Sequence, residues 1–136
     1  MYKLVKSTFT TNQLKIVNNN LSPGNFELKP LIKRQVGKIK EGLYFTALIL
    51  SIESTEEQRF PVDMLVDFRG IFEFGNIDDE KNIYEFLKLQ AVHIMFPYLR
   101  SIVTNLSVTA MMPPIVLPIV DVSNLFKNNE EITYIN

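Results

Sequence analysis

Few side chains in the 136-residue sequence could make or break bonds. The one imidazole, His93, sits within an apolar helical stretch, where a helix-face histidine with satisfied polar atoms is the ordinary outcome. The carboxylates cluster where structure alone accounts for them. Glu53, Glu56 and Glu57 gather around one polar turn, and Asp78, Asp79 and Glu80 stand at a helix start, as cap and negative first turn. Asp63 and Asp67 are four apart on one strand face, a common surface spacing that does not by itself make an acid–base pair. Cysteine is absent, which excludes disulfides, thiolate metal sites and cysteine nucleophiles. A zinc ion would have one histidine and otherwise only carboxylates, an uncommon ligand set. No GxGxxG, Walker, GxSxG or HExxH pattern occurs. The sequence therefore predicts no catalytic residue, no cofactor and no metal.

The chemistry on offer is apolar contact. Hydrophobic residues make up 46% of the chain and charged residues 21%, a globular composition. Fourteen bases against fifteen acids leave a net charge of −1, which argues against a nucleic-acid partner. Between Ile102 and Val120 there is not one charged side chain. Within that run Met111 and Met112 are adjacent and followed by Pro113-Pro114, Ile115 and Leu117, while Phe72 and Phe74 stand elsewhere. Methionine is unbranched and polarisable and suits surfaces that accept many apolar shapes. The alternative is that these residues fill the core.

These residues need elements to position them. The length suits a single domain, residues 1–136, with one core. Residues 2–17 read as one long strand, bulged near its middle, and residues 18–25 as a loop. A second strand over 26–39 contains Pro30, so it lies at an edge or is broken. A turn over 38–42 leads to a strand over 43–53 with apolar residues on both faces, and then to a cleanly alternating strand over 59–69. Gly70 is expected to break that strand. Helical spacing follows in Ile83, Phe86, Leu87, Ala91, Ile94, Met95, Leu99, Ile102 and Leu106, with Pro97 either dividing or kinking the helix. Pro113, Pro114 and Pro118 force residues 111–120 to run extended. Asp121 or Ser123 can cap a last short helix through Leu125 and Phe126, and the tail is expected to be loosely held. Strands followed by helices make an α+β fold. No apolar run approaches the roughly 20 residues that span a bilayer, and the N-terminus lacks signal-peptide shape, so a soluble cytoplasmic protein without membrane insertion is expected.

The stretch IMFPYLRSIVTNLSVTAMMPPIVLPIVDVSNLF, residues 94–126, resembles the signature of the SecB protein-export chaperones. The matching residues are Ile94, Phe96-Pro97-Tyr98, Arg100, Ile102, Pro113-Pro114, Leu117, Pro118 and Leu125-Phe126, with Gly70-Ile71-Phe72 upstream. The resemblance implies a four-stranded antiparallel Greek-key sheet with a long helix packed on it and a short C-terminal helix. It implies a homotetramer, a dimer of dimers, that binds unfolded polypeptide in apolar grooves without ATP. The partners it implies are unfolded preproteins, or one specific client such as the antitoxin of a toxin–antitoxin pair, and the SecA ATPase. Carried onto this sequence, the client-binding candidates are Phe72, Phe74, Met111, Met112, Ile115, Leu117, Leu125 and Phe126. The well-studied members are strongly acidic and dock SecA through acidic sheet residues. This chain is near neutral, with Gln13 and Val17 at the first-strand positions, Asp67 as the substitute on the fourth strand, and Met111-Met112 where Thr-Phe is usual.

Overall fold

In a computed structural model that describes residues 2–21, 29–75, 79–117 and 132–135, helices cover one face of a twisted sheet. The strands are β1 (Lys3–Asn18), β2 (Leu31–Lys40), β3 (Leu43–Ile52) and β4 (Val62–Gly75). Helices α1 (Glu80–Lys88) and α2 (Gln90–Thr109) follow, and β5 (Ile132–Ile135) ends the described chain. The sheet order is β1-β4-β3-β2-β5. The first four strands pair antiparallel in a Greek-key-like order, and β5 joins the β2 edge in parallel. The fold is α+β. The expected short helix at Leu125 and Phe126 lies outside the described residues. The tail expected to be loose contains a strand instead.

β4 shows why the helices sit where they do. Its even-numbered residues Val62, Met64, Val66, Phe68, Phe72 and Phe74 are buried, while Asp63, Leu65, Asp67, Arg69, Ile71 and Glu73 alternate on the open face. Gly70 does not break the strand. It continues the helix-side row, where an added Cβ would lie 2.9 Å from Cε2 of Phe72 and 3.0 Å from Sδ of Met95. Glycine lets those two side chains close over the backbone. Phe86 of α1 packs edge-on against Phe72 at 5.4 Å and Phe74 at 5.6 Å, which seats the first helix. β1 is the long irregular strand expected, with register shifts between Leu4 and Lys6 and between Thr11 and Gln13. Pro30 precedes β2 rather than lying in it.

The helical run divides at Leu89, not at Pro97. Leu89 has φ −125° and ψ −64°, and α2 runs unbroken past Pro97 to Thr109. Side chains from the sheet capture carbonyls at the division. The Thr46 hydroxyl donates to the Leu87 carbonyl at 2.8 Å, and the buried Arg34 guanidinium donates to that of Lys88. This division resets the helical phase. Val92, Phe96 and Val103 turn inward beside Ala91, Met95 and Leu99, whereas Ile94 turns out. Pro97 is on the exposed side, where the carbonyl of His93, which loses its helical donor to the proline ring, is open to water.

The start of α1 is fixed by charge. Asp79 caps it, accepting from the Asn82 backbone N–H. Glu80 accepts from the Tyr44 hydroxyl at 2.8 Å and from Lys38 Nζ at 3.0 Å, and Lys38 also pairs with Glu41 at 2.8 Å. The Tyr44 hydroxyl, and then Lys38, hold the Glu80 carboxyl below the usual range. Burial, and then the Glu80 carboxylate, push the Tyr44 phenol up to about 12. The signs set two limits on stability. Glu80's contribution is present above the carboxyl's unfolded pKa and is lost as pH falls through its lowered folded value. Tyr44's is present below its ordinary value of 10 and is lost as pH rises toward about 12. Urea midpoints measured across pH should decline at both ends, and Glu80→Gln should flatten the acid limb. Parallel acid limbs in the two proteins would assign that decline to other carboxylates.

Candidate functional site

Helix α2 presents Arg100, Thr104 and Ser107 at i, i+4 and i+7, a spacing that aligns them on one face. The sequence beyond the helix, residues 111–117, folds back along that face as an extended arm. Arg100 Nε donates to the Leu117 carbonyl at 3.0 Å, and Thr104 Oγ1 donates to the Ile115 carbonyl at 2.7 Å. The Ser107 hydroxyl, fully buried, donates to the Thr104 carbonyl at 2.7 Å and accepts from the Ile115 N–H at 2.9 Å. A proline-rich arm has few N–H groups for strand pairing, so helix side chains satisfy its main chain instead. Ser101 and Asn105, polar neighbours on the same helix, are exposed.

The turn into the arm is a Schellman cap. The Met112 N–H bonds to the Ser107 carbonyl at 3.0 Å and the Met111 N–H to that of Val108 at 2.9 Å. Met111 occupies the left-handed position, φ 61°, where glycine is the usual residue. Its side chain is 92% exposed. An apolar residue thus holds a backbone conformation that disfavours it and a surface position that gains it nothing within the fold. From Ile115 onward the arm alternates as an extended chain must. Ile115 is half-buried and Leu117 nearly fully buried against the core, while Val116 between them is 66% exposed.

The other expected site residues divide accordingly. Phe72 and Phe74 are 0% and 4% exposed and lie under the helices, so within the protomer they are core, not surface. Met112 packs half-buried against the same core, and Leu125 and Phe126 lie outside the described residues. Met111, Pro113, Pro114 and Val116 form the arm's outer side. Val116 was not singled out from sequence, although its odd place in an extended run beside Ile115 and Leu117 gives the signal. The alignment of Arg100, Thr104 and Ser107 was equally legible in their spacing, although Arg100 entered the sequence reading only as part of the family signature.

The open face of the sheet is not acidic. Lys6, Lys15, Lys33 and Arg69 share it with Asp63, Asp67 and Glu73. Asp67 is paired with Arg69 at 3.1 Å, and Asp63 accepts from the Ser54 N–H at 2.7 Å and from Asn19 at 3.2 Å. Gln13 lies in register with Asp67. A cavity of about 320 Å³ opens beside the β2–β3 turn, where Lys6 and Lys40 balance Glu41 and Glu73. His93 is exposed on α2. Among the described residues no cluster of three or more histidines and carboxylates could hold a metal ion, and no helix is long and apolar enough to cross a membrane.

Residues 9–132 match the family described as preprotein translocase subunit SecB. An uncharacterised protein of Methanocaldococcus jannaschii is 31% identical over 87 residues, 62% of this chain and 56% of that one. The protein-export protein SecB of Anaplasma marginale is 24% identical over 110 residues, 81% of this chain and 61% of that one. The chain thus spans less than two thirds of the length of these relatives. A solved SecB-like chaperone of Mycobacterium tuberculosis, in complex with a ChAD peptide from the HigA1 antitoxin, superposes with a TM-score of 0.73 at 12% identity. That match covers 88% of this chain and 91% of the other, and it shows a shared fold.

The pinning of the arm is directly measurable. Ser107→Ala strands the Ile115 N–H and should lower the unfolding free energy by about 1–3 kcal/mol. Amide exchange at Ile115 should speed up by more than the global loss explains. An Ile115 amide that exchanges as in the parent protein would show that the arm is held by something else.

Proposed function

The chain belongs to the SecB family, and on that premise we propose that it holds non-native polypeptide without ATP, as the dedicated chaperone of one partner. The family is non-catalytic and its chaperones are cytoplasmic. In this reading the arm is the contact surface. Met111, Pro113, Pro114 and Val116 meet the client; Met112, Ile115 and Leu117 set the arm's shape, and Phe72 and Phe74 form the firm floor beneath. Leu125 and Phe126 are further client contacts in this reading. The protein works as a homotetramer, a dimer of dimers.

The observation that carries the reading is Met111. A left-handed backbone disfavours a side chain by roughly 1 kcal/mol, and exposed apolar surface adds no stability. Local strain retained at an exposed apolar residue points to a use outside the fold. A flexible methionine beside prolines and a valine suits an extended segment bearing apolar side chains.

The dedicated role is supported by the open face of the sheet. A SecA dock of the kind the family uses needs an acidic face there, and here Lys6, Lys15, Lys33 and Arg69 share it with the bonded Asp63 and Asp67 and with Glu73. The mycobacterial chaperone of the same fold is in complex with a ChAD peptide from an antitoxin, so the fold accommodates a defined segment. General export is the second reading, favoured by the likeness to protein-export proteins. Pull-down from host extract separates the two. One dominant partner fits the dedicated role, and a broad set of unfolded preproteins fits export.

Met111→Gly gives opposite signs for stability and function. Relief of the left-handed strain should raise the unfolding free energy by roughly 0.5–1 kcal/mol. Suppression of aggregation of a chemically unfolded client, assayed without ATP, should fall several-fold while the mass from light scattering stays tetrameric. If holding is unchanged in the stabilised variant, Met111 is not a client contact. A parent protein that suppresses no client's aggregation would contradict the chaperone reading itself.

A further inference from the structure

β2 is the outer strand of the antiparallel sheet, opposite β1, and the chain's own C-terminal strand lies along it. Ile132 is in register with Arg34, Thr133 with Gln35, Tyr134 with Val36 and Ile135 with Gly37. The pairing is weak by construction. It uses four residues against a ten-residue strand, and parallel ladders are slightly less stable per residue than antiparallel ones. Beyond the ends of β5, Leu31 and Ile39 of β2 remain 53% and 49% exposed. A strand edge is a template for another chain, and strand addition is a general mode of peptide capture. Charge gives this edge a preference. β2 carries Lys33, Arg34, Lys38 and Lys40 and no acid, with Arg34 committed to the Lys88 carbonyl and Lys38 to Glu41 and Glu80, whereas β5 is uncharged and follows Glu130-Glu131 in the sequence.

We propose that β5 is a tethered, displaceable occupant of the β2 edge. The partner this edge fits is an extended, uncharged apolar segment led by acidic residues, which enters by displacing β5. The proposal rests on the reading of the protein as a holder of extended polypeptide, and it adds the surface and its regulation. Joined to the arm through residues 118–131, β5 competes from within the chain, at a local concentration that a free segment must exceed. A segment that pairs along more of β2 than Arg34–Gly37 gains main-chain bonds that β5 does not make. The device shields an adhesive edge from other chains and sets a threshold for what it accepts.

The test uses the full chain. Successive residues of a strand direct their N–H groups to opposite sides, so Thr133→Pro with Tyr134→Pro removes the β5 donor whichever residue carries it. The probe is a fluorescein-labelled peptide of sequence NEEITYIN, residues 129–136, followed by anisotropy. The double variant should bind it roughly tenfold more tightly than the parent. That affinity should fall as salt is raised to about 0.5 M, and a peptide with both glutamates changed to lysine should bind several-fold more weakly. Equal affinity in parent and variant, or no capture by the variant, overturns the proposal. Aggregation suppression separates this from the functional reading. A variant that holds an unfolded client but gains no peptide affinity removes β5 as occupant and leaves the chaperone reading standing. Peptide capture with no suppression by either protein does the reverse.

Discussion

The structure depends on one requirement: an uncharged, proline-rich arm must be held extended with its main chain satisfied. Pro113 and Pro114 have no N–H to give, and helix is closed to them. The Ile115 N–H and the carbonyls of Ile115 and Leu117 find their partners on α2, in Ser107, Thr104 and Arg100. Because the helix grips backbone and not side chains, the arm's outward residues are free of structural duty. Met111 and Val116 can then be apolar and exposed, as no folding argument would choose.

The grip holds only if α2 presents the right face, and the sheet determines that. Thr46 and Arg34 take the carbonyls of Leu87 and Lys88, so the helical run divides at Leu89 and α2 begins in a new phase. The division puts Met95 and Leu99 on the sheet and leaves Arg100, Thr104 and Ser107 facing the arm. β4 supplies the surface beneath, with Gly70 allowing Phe72 and Met95 to close over it. A chain of local causes thus runs from two polar side chains on the sheet to the attitude of an apolar arm on the far side of a helix.

Much of this was legible in the sequence and some was not. Alternation revealed β4, and the apolar residues on both faces of β3 marked a strand covered on both sides, because side-chain period 2 follows from backbone geometry alone. The helix–arm–proline order was equally plain. The break at Leu89 was not, since leucine carries no breaking signal and the cause lies in Thr46 and Arg34, more than 40 residues earlier in the chain. Of the two readings at Pro97 the division fails, because α2 runs through it and an exposed helix face tolerates the carbonyl it frees. Gly70 was misread because its constraint is the approach of Phe72 and Met95, which no local pattern records. Phe72 and Phe74 looked like surface candidates by likeness to a family, and their alternation with Glu73 already placed them with the core.

The central claim, that the pinned arm is where a client meets this protein, is tested most directly by photo-crosslinking. Benzoylphenylalanine placed at position 111, on the arm, and at position 15, on the open face of the sheet, reports contact with an unfolded client at each place. The account predicts client adducts from position 111 and none above background from position 15. Adducts from position 15 with none from position 111 would contradict it and would move the client site to the sheet.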